Sequence, residues 1–419
     1  MPDISLVPFD DSVAQNWEPY ALTRPAGELL FGAFTLRERA EKVLDLRASV
    51  HLAADHLVGF DEAEAPPVVS LTAAPTDGAR LFLLSRAVPD WTANFRSAPD
   101  APATVRMDGE IVGWFAPAGA PAPPADFFLA PKSATPTHDA GAALDLPGRV
   151  LRHVWELVSR NPDQVATDIA ALYPASTARP LPPGVHHWGS HPLVWDATTR
   201  IEPGVALDTT DGPIWLRRGV TIRAFTRLAG PAYVGPYSSV LGGSVESVSI
   251  GPVCRIRGEL AESVCAGYVN KAHDGHIGHA YLGRWVNLGA ETTNSDLKNN
   301  YGSVRIHTPS GEVDTGETKL GCFLGDHVKT GIGMLLNTGT VVGAGSNLYG
   351  AAMPPKYVAP FSWGTGDALV TYQCDKFMQV AERAMARREV TLTDGMRQQL
   401  LRAWERCRAE GEPDGRDAG

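Results

Sequence analysis

The second half of the chain is punctuated by aliphatic–glycine pairs: Val234-Gly235, Ile250-Gly251, Ile277-Gly278, Leu282-Gly283, Leu288-Gly289, Leu324-Gly325, Ile332-Gly333 and Val342-Gly343. Several neighbours lie five, six or ten residues apart, multiples or near-multiples of a hexad. A hexad supplies one flat side with an inward aliphatic residue and then a corner, where glycine suits positive φ. Three sides make a coil of about 18 residues, and stacked coils bury a continuous aliphatic column. The pattern therefore predicts a parallel β-helix over residues 195–365. A β-sandwich would need longer runs of alternating polar and apolar residues.

Residues 1–145 have a different texture. Short apolar runs (Ile4–Val7, Val68–Leu71, Arg80–Leu84, Gly109–Phe115) interleave with the amphipathic run Leu36–Leu44, which predicts a compact α/β domain. Ala116–Pro124 is too rich in proline and alanine for a strand and reads as a loop. Residues 146–194 read as helix and linker: Val150, Val154, Leu157 and Val158 share a helical face that Asn161-Pro162 should end, and a loop follows from Pro174 to Pro192. Residues 366–409 return to helix over Asp375–Arg388 and Met396–Trp404, the second with an N-cap expected at Thr393. These helices are expected to cap the open coil or pack on a neighbouring chain. Residues 410–419 read as a disordered tail.

Forty-seven acidic against 37 basic residues, a formal charge of −10, disfavour nucleic acid as a partner while leaving room for a local phosphate pocket. Five cysteines without paired spacing predict free, buried thiols. No run of about 18 apolar residues and no basic-then-apolar start is present, so no membrane is expected and the cytoplasm is the expected location.

The stretch Lys271-Ala-His-Asp-Gly-His-Ile-Gly-His279 sets three histidines at intervals of three. Three readings stand. On a three-sided coil His273 and His279 occupy adjacent sides and diverge by roughly 120°, so a metal would need ligands from a second chain, and no metal is assigned. His276 and His279 also fit solvated surface positions. A catalytic base among them is the third reading, because a neutral imidazole takes a proton near pH 7.

From Lys271 to Gly302 the chain resembles the acetyltransferase domain of the bifunctional bacterial N-acetylglucosamine-1-phosphate uridyltransferase/glucosamine-1-phosphate acetyltransferase family. The match runs in register from His273 through Ile277-Gly278, Leu282-Gly283 and Val286-Asn287 to Ala290, and Gly251–Gly258 is similar to that family's G-P-F-A-R-[LI]-R-P-G. Tyr20–Arg39 and Phe361-Ser-Trp-Gly364 resemble a divergent branch of sugar nucleotidyltransferases. The resemblance implies a left-handed β-helix, a homotrimer with its site between subunits, acetyl-CoA as donor and a sugar phosphate as acceptor. It makes His273 the base, places Arg257 and Lys271 on the substrate phosphate, and gives Asn287, Asn300 and Tyr301 the sugar hydroxyls and amine. Ala290 would face the cofactor. His276 stands where relatives carry a substrate-binding tyrosine, and the insertion Asn294–Asn299 precedes Asn300.

The first domain lacks the family's glycine-rich L-A-A-G-x-G-T-R-M loop and its metal-binding aspartate. If it is active, Mg2+ and a nucleoside triphosphate are implied, with Arg24, Arg37 and Arg86 as phosphate contacts. Acyl transfer to the amine of an amino-sugar phosphate or nucleotide sugar is thus the expected function. Sugar-1-phosphate nucleotidyl transfer, or a trimeric scaffold with a decayed site, are the alternatives.

Overall fold

A computed structural model describes residues 4–95, 99–131 and 142–410. Residue 410 ends a helix, and the rest of the expected tail lies outside the described residues.

The first domain is built on a mixed sheet. Strand Ile4–Phe9 runs parallel to Ala79–Leu84 on one side and to Arg47–Ala48 and His51–Ala53 on the other. Glu110–Ala116 is antiparallel to Ala79–Leu84. All six residues of Ala79–Leu84 are buried, as expected of a strand covered on both faces. The Leu36–Leu44 helix starts at a capping box, with the Glu38 amide donating to Thr35 Oγ1 at 3.2 Å and the Thr35 amide to Glu38 Oε2 at 2.9 Å.

Asn161-Pro162 opens a helix, Asn161–Leu172, instead of closing one. Proline is favoured in the first helical turn, where its missing N–H would have no partner. Val150 belongs to the strand Gly148–Val150, and between that strand and Asn161 only Glu156–Ser159 is helical.

The parallel β-solenoid begins at His186–Gly189, earlier than the aliphatic pattern suggests, in a strand whose four residues are all exposed. Its interior is a column in strict register: Ile250 beside Cys265, then Leu282, Leu324, Val342 and Val358. All six are buried. Asn270 lies beside Asn287, 17 residues later, close to the expected coil length. Tyr281 pairs with Phe323 because the chain leaves the coil for an insertion carrying the hairpin Arg305–Thr308 and Gly311–Asp314, which sequence reading missed beyond its first residues.

The glycines of the aliphatic pairs serve a different purpose from the one expected. A Cβ on Gly251 would lie 2.5 Å from the Ala266 carbonyl oxygen, and one on Gly283 2.6 Å from Asp326 Oδ1 and 2.8 Å from its backbone nitrogen. Seven of the eight are set by coil-to-coil approach, whereas Gly333, after the exposed Ile332, has φ +70° and nothing within 4 Å of an added carbon. In those seven, positive φ falls instead on non-glycine residues two positions after several of the glycines, including Val253, Trp285 and His327, at φ 59° to 65°.

The two domains share a core. Tyr20 packs on Tyr281 with ring centroids 4.6 Å apart and donates its hydroxyl to the Tyr281 carbonyl, while the Tyr281 hydroxyl reaches Leu30. Helices Cys374–Ala386 and Asp394–Glu410 lie against the coil and the first domain, with the Thr393 hydroxyl accepting from the Met396 amide as expected of an N-cap. Cys254, Cys265 and Cys322 are buried free thiols, Cys374 is a free thiol that is half-buried, and Cys407 is likewise half-buried.

Candidate active site

One solenoid corner gathers most of the expected residues. Ile256 pairs with Lys271 and Glu259–Ala261 with His276–Gly278, so Arg257, within the strand Arg255–Ala261, lies directly beside the turn Ala272–Gly275. The Glu291 amide donates to the Asp274 carbonyl at 3.0 Å, and the Gly333 amide to the Ala290 carbonyl at 2.8 Å, which stacks the Ala290 turn next in line. Arg257, His273 and Ala290 therefore stand on successive coils of one ridge. Arg257 pairs with Asp274 at 3.3 Å, both about half exposed, an ion pair worth little by itself that leaves the guanidinium open to a ligand.

Lys271 departs from its expected role. It sits at an inward ladder position beside Ile256, is 2% exposed, and donates to the carbonyls of Arg257 at 2.6 Å and His273 at 3.1 Å. Burial lowers the ammonium to about 8. Its side chain ties two turns together and so positions Arg257 and His273, where a phosphate contact would need it outside the coil.

The three histidines separate clearly. His279, expected at the surface, is buried, with Nδ1 at 2.8 Å from Asp296 and Nε2 at 3.1 Å from Glu262. Burial opposes its charge, but the two carboxylates outweigh that and raise it to about 9. His276 is one-third exposed, with Nδ1 at 3.2 Å from Glu259 and Nε2 at 3.7 Å from Asp296, and Asp296 above all raises it. Hydrogen bonds from both imidazoles hold Asp296 well below the usual carboxylate range. Asp296 follows His279 by one coil period, a spacing through which sequence reading could have found it. His273 is exposed, and among the described residues only its backbone carbonyl is engaged. The described residues contain no group of three or more ligating side chains able to hold a metal.

The remaining expected contacts lie apart from this ridge. Asn287 stands on a flat face, accepting from the Asn270 amide at 2.9 Å. Asn300 and Tyr301 are exposed in the insertion, where Asn300 Oδ1 accepts from the Gly302 amide and the Tyr301 amide donates to Lys298.

Residues 6–176 match the sequence family described as sugar nucleotidyl transferase. The first domain belongs to that family. A bifunctional sugar-1-phosphate nucleotidylyltransferase/acetyltransferase of Sulfurisphaera tokodaii is 30% identical over 125 residues, covering 30% of this chain and 29% of the relative. The bifunctional protein GlmU of Acaryochloris marina is 26% identical over 151 residues, covering 36% of this chain and 29% of the relative. The matched stretches thus span less than a third of either relative.

In the sugar nucleotidyl transferase domain, the carboxyl ends of the parallel strands are where a ligand crevice belongs in an open α/β sheet. Here those ends are internally bonded. Asp10 accepts from the Ala26 amide at 3.0 Å, pairs with His51 at 2.9 Å and accepts from Ser85, while Asp11 takes both arms of Arg86 at 2.9 and 2.6 Å. Arg24 is buried between Glu62 and Asp326, each at 2.8 Å, and Arg37 between Glu28 at 2.5 Å and Glu41 at 2.6 Å. All three arginines expected to meet phosphates are occupied by carboxylates in the interior. Glu62 also receives Arg284 at 2.9 Å, and although burial opposes it, the two guanidiniums hold its carboxyl at about 2.

Proposed function

We propose that the protein is an acyltransferase working at the corner around His273, with an acyl thioester such as acetyl-CoA as donor and the amine of a sugar phosphate as acceptor. The observation that carries this reading is the contrast among the histidines. His276 and His279 are held toward the cationic form by carboxylates, whereas His273 presents an unengaged imidazole on the same ridge as Arg257 and Ala290.

The attacking amine forms a bond to the acyl carbon and passes its proton to His273. The tetrahedral intermediate then collapses, the carbon–sulfur bond breaks, and the thiolate leaves with the proton from the imidazolium. Backbone N–H groups serve such an oxyanion well when fixed in place. The Gly289 N–H is already committed to the Thr330 carbonyl at 3.0 Å, which leaves the Ala290 N–H as the donor from this turn. Arg257 would hold the acceptor phosphate through its fork. A second copy of the chain, in a trimer, would close a ridge that is open in the single chain and bring Asn300 and Tyr301 of one subunit toward the His273 of another, whereas Asn287 lies under the helix Cys374–Ala386.

The second reading is nucleotidyl transfer in the first domain, favoured by its family. Against it stand the missing glycine loop and the internal bonding of Asp10, Asp11, Arg24 and Arg37. Incubating the full chain with glucosamine-1-phosphate and acetyl-CoA, with and without UTP and magnesium, separates the two. Free thiol released without UTP supports acyl transfer. Pyrophosphate released only with UTP and magnesium, without thiol, would replace it.

A further inference from the structure

Away from the His273 ridge, a cavity of about 400 Å³ lies between one solenoid face and the helix Cys374–Ala386. Its floor is a ladder in parallel register, with Asn270 beside Asn287 and Asn287 beside Lys329. Its roof is Val380, Arg383, Ala384, Arg387 and Arg388, the positions of a helical stripe continued into the turn after the helix. A stripe facing a coil is ordinarily apolar, and this helix does bury Phe377, Met378, Ala381 and Met385 on the adjoining stripe. Arginines on the side that overhangs the coil need another reason.

The charge is unbalanced. Lys329, Arg383, Arg387 and Arg388 line the cavity, no carboxylate does, and among the described residues none of the four makes an ion pair. The nearby Glu382 is turned to Arg397 at 3.2 Å. Arg388 reaches only the Asn270 amide oxygen, at 3.3 Å. Burial lowers Lys329 to about 8, as expected of an ammonium held without a counter-ion. A favourable helix dipole accounts for basic residues at a helix C-terminus but not for a lysine on the facing coil. In a chain with a formal charge of −10, four unpaired cations around one cavity are a concentrated exception.

We propose that this cavity binds a diphosphate anion, either free pyrophosphate or the diphosphate of a nucleotide. A phosphate monoester carries about −1.5 to −2 near neutral pH, which leaves roughly half of the four positive charges unmatched, whereas a diphosphate meets most of them. The Asn270 and Asn287 amides supply neutral hydrogen bonds at one wall. The stacked pair Tyr268 and Trp285, with centroids 4.0 Å apart, forms a flat wall beside them. This site stands independently of acyl transfer at His273.

Calorimetric titration of the full chain with pyrophosphate, ADP and inorganic phosphate at constant ionic strength tests it. Pyrophosphate is expected to bind at least tenfold more tightly than phosphate, and the exposed double variant Arg383→Ala/Arg387→Ala to lose at least tenfold in affinity. His273→Ala should bind pyrophosphate as wild type does, which separates a failure here from a failure of the proposed acyl transfer. ADP binding more tightly than pyrophosphate assigns the site to a nucleotide, and weaker binding assigns it to the free anion. Absence of saturable pyrophosphate binding overturns the proposal, as does a double variant with unchanged affinity. If the double variant instead dissociates an oligomer while keeping its affinity, the arginine face is a contact between copies and the proposal fails.

Discussion

The Arg24 guanidinium meets the Asp326 carboxylate at 2.8 Å across 302 residues of sequence, with Thr23 donating to the same oxygen at 3.0 Å. Asp326 also accepts from the Arg284 amide at 2.7 Å, so one carboxylate joins the first domain to a solenoid corner. Removing one partner of such a buried pair leaves the other charge uncompensated. Arg24→Ala is expected to cost about 3–5 kcal/mol in denaturant unfolding and to split one transition into two. An unchanged midpoint would show that the pair does not couple the domains.

The insertion is anchored through Asp296 and His279, and that anchor depends on pH. The folded state raises His279 to about 9 from an ordinary value near 6.5. Its contribution is therefore complete below about pH 6.5 and is lost as pH rises through 9. Stability should fall between pH 7 and 9.5 more steeply in wild type than in His279→Gln, which should itself cost on the order of 2 kcal/mol at neutral pH. Parallel pH profiles for the two proteins would remove His279 from the account.

Glycine substitutions distinguish close approach from backbone conformation. Gly251→Ala places a methyl 2.5 Å from the Ala266 carbonyl of the next coil, a backbone atom that cannot rotate away. At Gly333, φ is +70° and nothing lies within 4 Å of the added carbon. The first change should cost more than 3 kcal/mol and the second about 1–2 kcal/mol by chemical denaturation. The reverse order would contradict the coil-to-coil role assigned to Gly251 and the six pair glycines like it.

The solenoid was legible because its period is written in the residues that build it. Of the aliphatic residues that suggested hexads, Ile250, Leu282, Leu324 and Val342 stand in the inner column, whereas Ile332 is exposed. All their glycines but Gly333 were misread, since sequence shows that glycine is needed but not whether φ or the next coil demands it. The boundary near residue 186 was hidden because His186–Gly189 is exposed and carries no aliphatic signal. Proline at position 162 looked like a stop because the two helical ends use it differently.

The candidate site was legible in part for the same reason. The ridge of Arg257, His273 and Ala290 follows from coil spacing. The inward turn of Lys271 and the burial of His279 depend on partners such as Asp296 and Glu262, which the coil brings alongside but the local sequence does not announce. Arg24 and Arg37 read as phosphate ligands for want of any view of the carboxylates that meet them. The basic helix face over Lys329 gave no signal until the coil and the helix were placed together.

Thiol release from acetyl-CoA in the presence of an amino-sugar phosphate, compared among wild type, His273→Ala and His276→Ala, tests the central claim most directly. A general base contributes about 10²–10⁴-fold, so His273→Ala should fall by that factor with its fold intact, and His276→Ala should keep a measurable fraction of the rate. Equal rates in His273→Ala and wild type, with an acceptor that wild type uses, would contradict the account.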